Sequence, residues 1–166
     1  MSRAIPHDPY RTVVQRFNRH GVRYVVMGMA GINYYAESPA QAFATMDYDL
    51  FVAPTLANVE QAVTCVKSLG FAVATTDGPL AVERIRTVVR DRRTIVATTP
   101  DGLMIELLLE VSGYTFADVA RDAATFTVRG VPVKVGRLTK LLQSKKLAGR
   151  AKDRQFLQRY QSQLDE

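Results

Sequence analysis

Thr45-Met46-Asp47-Tyr48-Asp49-Leu50-Phe51-Val52 puts two carboxylates into a run that otherwise suits a buried strand. Residues two apart on a strand share a face. The stretch therefore predicts a strand over 46–52 in which Asp47 and Asp49 project together. Met46, Tyr48, Leu50 and Val52 turn the opposite way, into a core. Two ionised carboxylates side by side repel, and keeping both charged is costly without a counter-charge. A divalent cation supplies that charge. Magnesium, or manganese in its place, suits the position, because magnesium takes oxygen ligands and bridges one or two carboxylates to substrate phosphates. An Asp-x-Asp pair is also ordinary decoration on an exposed strand face, so by itself it names no reaction.

A second apolar run, Leu103-Met104-Ile105-Glu106-Leu107-Leu108-Leu109, carries a lone acid at its centre. A buried carboxylate is expensive unless it is paired. Glu106 completes a three-acid cluster if this strand lies beside the first. Glu110 falls on the same face and is the reserve candidate.

Around these two strands the chain reads as one α/β domain over 1–166, with a mixed, mostly antiparallel sheet flanked by helices. Asp8 and Pro9 open a first helix that stops at Gly21, with Tyr10, Val13, Val14 and Phe17 as its apolar stripe. Tyr24–Met27 is a short strand ending at Gly28, and a short helix through Tyr35 follows. A loop over 37–44 turns at Ser38-Pro39. Pro54-Thr55 starts a helix whose stripe is Leu56, Val59, Val63, Val66 and Leu69, closed by Gly70. Further strands are expected over 71–75, 94–98 and 103–109, the last two joined as a hairpin through Pro100-Asp101-Gly102. Helices are expected over 79–91 and 117–124. A second tight turn at Arg129-Gly130 joins strands 125–128 and 131–135. Gly149 splits two closing helices, 138–148 and 152–164. The chain shows no repeat, low-complexity segment or linker.

Composition narrows the functional classes. The 166 residues are 47% hydrophobic, too apolar for a disordered chain. The longest apolar stretch, 24–32, is too short to span a membrane. Cys65 is the only cysteine, which excludes an internal disulfide and a multi-cysteine zinc site; in its helical stripe it reads as inert core. With no basic-then-apolar leader, the expectation is a cytoplasmic protein. The net charge is +6. Residues 129–166 hold ten Lys/Arg against three Asp/Glu, while the other 128 residues hold twelve against thirteen. Residues 137–166 thus form a basic helical tail that attracts phosphates, on a nucleotide or along RNA.

The order strand, Gly28, short helix, loop, Thr45-Met46-Asp47-Tyr48-Asp49-Leu50, then a later strand with a third acid, resembles the DNA polymerase β-like nucleotidyltransferase superfamily. The closing segments Leu141-Leu142-Gln143-Ser144-Lys145 and Gly149-Arg150-Ala151-Lys152-Asp153 are similar to the tail of minimal and AbiEii-like bacterial nucleotidyltransferases, many of them linked to toxin–antitoxin systems. The resemblance spans residues 24–156. It implies the nucleotidyltransferase fold and magnesium-dependent transfer of a nucleotide from an NTP such as ATP to a hydroxyl. Asp47, Asp49 and Glu106 would be the catalytic and metal-binding acids. Gly28, Met29, Lys145, Arg150, Lys152 and Asp153 would form the nucleotide-binding set, with Asp153 orienting a neighbouring cation. The acceptor would be tRNA or another RNA, a protein side chain or a small molecule such as an aminoglycoside; a cognate antitoxin would be a protein partner.

Three positions depart from the family pattern. Met29 stands where Gly or Ser is usual, Phe43 where Arg is frequent, and Phe156 where a further acid is frequent. Each removes a polar group. Met29 and Phe43 favour the alternative, a non-catalytic nucleotide- or RNA-binding member of the same fold. An unrelated α/β domain with surface acids is the third reading. Outside the pattern, Arg84, Arg86, Arg90, Arg92 and Arg93 read as a charged helix end paired with Glu83 and Asp91, or as a phosphate-contact surface. Asn33, Tyr34 and Tyr35 read as core packing or as a base-stacking platform. His7 and His20 have no evident catalytic partner.

Overall fold

The computed structural model describes residues 9–36 and 47–165. His7, the Asp8 helix start, the 37–44 loop with its Ser38-Pro39 turn, Phe43, Thr45 and Met46 lie outside the described residues.

Helix α1 (Pro9–His20) buries Val13, Val14 and Phe17, which recur at helical spacing. Gly21 ends it at φ 70°, a left-handed conformation that glycine adopts without a Cβ penalty. Strand β1 (Tyr24–Met27) is buried throughout and runs straight into α2 (Gly28–Asn33). Strand β2 (Asp47–Val52) alternates as its sequence requires, with Tyr48, Leu50 and Val52 buried. Phe51, on the Asp47–Asp49 face, is also buried, edge-on to Phe116 at 5.4 Å, so the far end of that face is covered.

Helix α3 (Leu56–Ser68) begins where Thr55 caps the Asn58 amide. Asn58 is 9% exposed and fully engaged: its amide group bonds the Arg23 and Ala53 carbonyls and accepts from the Arg23 amide. It thereby ties the end of β2 to the start of β1 and satisfies a polar group that would be costly to bury unpaired. Cys65 is buried in this helix.

Strands β3 (Ala72–Thr75) and β4 (Gly78–Pro79) follow, then a 3-10 turn (Val82–Arg84) and α4 (Ile85–Arg90). The expected 79–91 helix is therefore shorter at its front: Pro79 pairs with Ala74 in the sheet instead of opening the helix. Strands β5 (Ile95–Thr98) and β6 (Met104–Leu108) form the expected hairpin. Helix α5 (Phe116–Arg121) has a capping box between Thr115 and Asp118. It ends sooner than expected, and Ala124 begins β7 (Ala124–Val128), which pairs with β8 (Val131–Val135). The turn between them has Arg129 at φ 50° and Gly130 at φ 81°, two successive left-handed residues that match the twist of the flanking strands. Helices α6 (Leu138–Ala148) and α7 (Ala151–Asp165) close the chain, separated by Gly149 at φ 64°.

The eight strands form one mixed sheet in the order β4-β3-β5-β6-β2-β1-β8-β7. Only β2–β6 and β1–β8 are parallel; the other five pairings are antiparallel. Helices α1 and α3 pack together, with Tyr10 stacked on Tyr48 at 4.5 Å. Helices α6 and α2 pack together around Gly31, and a Cβ there would come within 3.2 Å of Leu141. Among the described residues no helix is long and apolar enough to cross a membrane.

Candidate active site

The central parallel pair brings the acids together. In the β2–β6 register Asp49 stands opposite Glu106 and Asp47 opposite Met104. Parallel strands in register point the same residues the same way, so Asp47, Asp49 and Glu106 share one face. Ile105 and Leu107, their neighbours on β6, are fully buried on the other. The strands thus offer a small acidic floor in the middle of the sheet, where a lone Glu in an apolar run has a partner.

Glycine 28 makes room for it. It follows β1, whose last residue, Met27, pairs with Asp49. At φ 65° a Cβ on Gly28 would overlap Asp49 Oδ2 and lie 3.1 Å from its Cγ. The sequence pattern ties this glycine to phosphate approach; in the structure its nearest duty is to leave space for a carboxylate.

Burial, then repulsion from Glu106 and Asp47, pushes the Asp49 acid up to about 7, against the pull of Lys145 and Lys152. Its Oδ1 is buried with no hydrogen-bond partner. A buried acceptor without a donor carries a desolvation penalty that a cation would remove. The donor set is all carboxylate, the kind magnesium and manganese take. No group of three or more His, Cys, Asp or Glu among the described residues is arranged to hold an ion as it stands. The arrangement fits an ion held by one or two carboxylates, with the remaining ligands supplied by bound phosphate and water.

Opposite the acids stands a basic wall from α6 and α7. Asp153, in the first turn of α7, is 1% exposed and is bonded by Arg150 Nε at 2.6 Å and by Lys145 Nζ at 3.4 Å. Burial raises the Asp153 acid, yet the Arg150 hydrogen bond and the charges of Lys145 and Arg150 outweigh it and hold it below the usual carboxylate range. Lys145 Nζ also lies 4.8 Å over the Phe156 ring. An aromatic face thus stands at this position and attracts the lysine. Arg150 is held above its ordinary value, chiefly by the Asp153 hydrogen bond, with smaller pulls from Asp49 and Glu106 that tie the wall to the floor.

Two cavities meet at Asp49, Glu106, Lys145 and Arg150. The smaller, about 240 Å³, also takes in Asp47, Met29, Lys152, Asp153 and Arg159. The larger, about 620 Å³, runs past Leu108 to Glu110, Ser112, Arg92 and Thr94. All nine expected site residues line one cavity or the other, and the reserve candidate Glu110 lines the larger. Arg159 lines the smaller cavity without having been singled out, and Arg92, named above only within a group of five arginines, lines the larger.

The remaining expectations divide. Arg90 pairs with Asp91 at 3.0 Å and Arg93 pairs with Asp77, so two of the five arginines are engaged in surface ion pairs. The Tyr34 hydroxyl bonds that of Tyr48 at 2.6 Å, and the Tyr35 hydroxyl bonds the Gly136 carbonyl at 2.7 Å, with both rings against Phe126. Both tyrosines are thus built into the packing, and Tyr34 also lines an open cavity with Asn33, Asp47 and Tyr48. Comparison of the chain with protein-family models and with curated proteins finds no match.

Proposed function

We propose that the protein is a metal-dependent nucleotidyltransferase that moves a nucleotide from an NTP to a hydroxyl acceptor. One observation carries the reading: Asp49 and Glu106 are partners on adjacent parallel strands, with Asp47 on the same face, opposite the basic wall of Lys145, Arg150 and Lys152. An acidic floor facing a basic wall across a cavity is what a triphosphate chelated to a divalent cation requires.

A divalent cation bound at these carboxylates would neutralise the triphosphate and stabilise the attacking and leaving oxygens of an in-line displacement. The chain's own residues do the rest. Asp47 and Asp49 form the acidic end of the site and would hold that cation, which offsets their repulsion of the phosphates. Lys145, Arg150 and Lys152 bind the β- and γ-phosphate oxygens, Arg150 through a fork-shaped guanidinium suited to two contacts. Asp153 fixes Lys145 and Arg150 so that little entropy is lost when they grip phosphate. Glu106, where the two cavities meet, would take the proton of the acceptor hydroxyl. The bond from that oxygen to the α-phosphorus forms, the bond to the bridging oxygen breaks, and pyrophosphate leaves with the electron pair.

Incubation with each α-labelled NTP, magnesium and total tRNA tests this. Label should appear on macromolecules and fall by at least 100-fold in Asp49→Asn. Met29, which lines the smaller cavity where family members offer a hydroxyl or bare backbone, favours a second reading, a nucleotide-binding module without turnover. Saturable NTP binding without transfer would select it. Neither binding nor transfer would defeat both.

A further inference from the structure

Arg92 occupies a position that physical chemistry reserves for glycine. Helix α4 ends in a closed turn: the Arg92 amide bonds the Val89 carbonyl at 3.2 Å, and the Arg93 amide bonds the Val88 carbonyl at 3.0 Å. This pair of bonds is the Schellman arrangement, and it requires a left-handed residue just past the helix cap, usually glycine. Arg92 fills it at φ 54°. Among the described residues only Arg129 shares a positive φ without being glycine, and that residue sits in a hairpin turn that demands it. Nothing in the α4 turn demands an arginine. A non-glycine residue held in this conformation at the rim of a site is a reason to ask what its side chain does.

The side chain is directed, not loose. Arg92 Nη1 bonds the Pro54 carbonyl at 2.7 Å, which anchors the guanidinium beyond the end of β2. There it lines the larger cavity beside Thr94, Glu110 and Ser112, at the end remote from Asp49. Glu106 lies on β6 and Glu110 two residues past its end, and Pro54 lies two residues past the end of β2. The cavity is therefore elongated, with the reacting acids at one end and an anchored cation at the other. Glu110 shares that remote end, so the end is not simply basic. It offers one fixed fork for an anion, with hydroxyls beside it, rather than a diffuse positive field.

We infer that Arg92 is an acceptor-binding residue that grips a phosphodiester of single-stranded RNA lying along the larger cavity. The naming of RNA as acceptor rests on the transferase reading; the binding role of Arg92 does not. A small acceptor held at Glu106 would not reach Arg92, whereas a strand that runs along the cavity presents a phosphodiester to it.

Fluorescence anisotropy with a labelled single-stranded RNA 12-mer, without NTP and over a range of salt, tests the inference. Arg92→Gly keeps the turn and removes the fork; Arg92→Lys keeps the charge. In Arg92→Gly, Kd should rise three- to tenfold and the slope of log K against log salt should fall by about 0.7, the value of one phosphate contact on a single strand. Arg92→Lys should keep the slope. Melting of Arg92→Gly should occur at or above the wild-type temperature, because glycine suits the turn, so weaker binding would not reflect a damaged fold. An unchanged Kd and slope in Arg92→Gly would overturn the inference, as would equal weakening of a neutral oligonucleotide analogue. Arg92-dependent RNA binding without any nucleotide transfer would defeat the transferase reading and leave this one standing. Transfer to RNA with Arg92-independent binding would do the reverse.

Discussion

Asp49 carries one buried oxygen without a hydrogen bond, and burial beside Glu106 and Asp47 raises its acid to about 7 from an ordinary value of 3.8. The folded state therefore holds this proton more tightly than the unfolded chain. Between pH 4 and 7 the folded form binds more protons, so stability falls as pH rises through that window and the penalty is full above it. The shift sets a ceiling of about 4 kcal/mol. Without metal, the wild type should melt lower at pH 8 than at pH 5, and Asp49→Asn should flatten that difference and raise Tm at pH 8. Magnesium at pH 8 should stabilise the wild type and not the variant. Thermal melts across pH check this; a variant that tracks the wild type at every pH would contradict it. The acids themselves were legible in the sequence, because a period of two puts Asp47 and Asp49 on one face and leaves Glu106 unexplained in its apolar run. The role of Gly28 was not, since the overlap with Asp49 exists only once β1 and β2 are paired. Arg92 was hidden among five arginines, because its place depends on a left-handed turn and on β5 returning beside the end of β6.

The closing helices were legible because their stripes survive without tertiary context. Residues 138–148 form α6 as expected, and α7 starts one residue ahead of its expected 152. The 79–91 segment was over-read because proline at a first helical position and proline on a short edge strand look alike until Ala74 is seen opposite Pro79. The α6–α7 corner is where element and site meet. Gly149 ends α6 in a left-handed turn, which lets the first turn of α7 bring Asp153 against Lys145. Asp153→Ala would leave two cations without their buried partner. Breaking a buried pair in this way costs roughly 3 kcal/mol, or a Tm lower by roughly 6–12 °C. The depressed Asp153 acid gives this contribution the opposite pH sense to Asp49: it is present above the ordinary carboxylate range and lost as pH falls through the lower folded value. With Lys145 and Arg150 unanchored, KM for NTP should rise about tenfold, with a smaller change in kcat. Steady-state kinetics at a temperature where the variant is folded separate that effect from instability.

At the scale of the molecule, the decisive fact is the adjacency of β2 and β6, whose paired residues Asp47 and Met104 are 57 positions apart in the chain. Periodicity gives each strand its two faces, but not its neighbour or its direction. Had β6 paired with one residue of slip, Glu106 would point into the apolar core with Leu50 and Tyr48 instead of into the cavity. The sheet class was legible from turn signals and alternation; the β4-β3-β5-β6-β2-β1-β8-β7 order was not, because it depends on which apolar faces the helices cover. The excess positive charge at the end of the chain gained its meaning only when α6 and α7 were seen to stand over the acids. Anomalous diffraction from crystals grown with manganese and an α,β-methylene NTP measures the whole arrangement at once. The account predicts a manganese peak about 2.1 Å from oxygens of Asp49 and of Asp47 or Glu106, with the triphosphate between it and Lys145 and Arg150. A nucleotide bound elsewhere, or manganese bound away from these three acids, would contradict it.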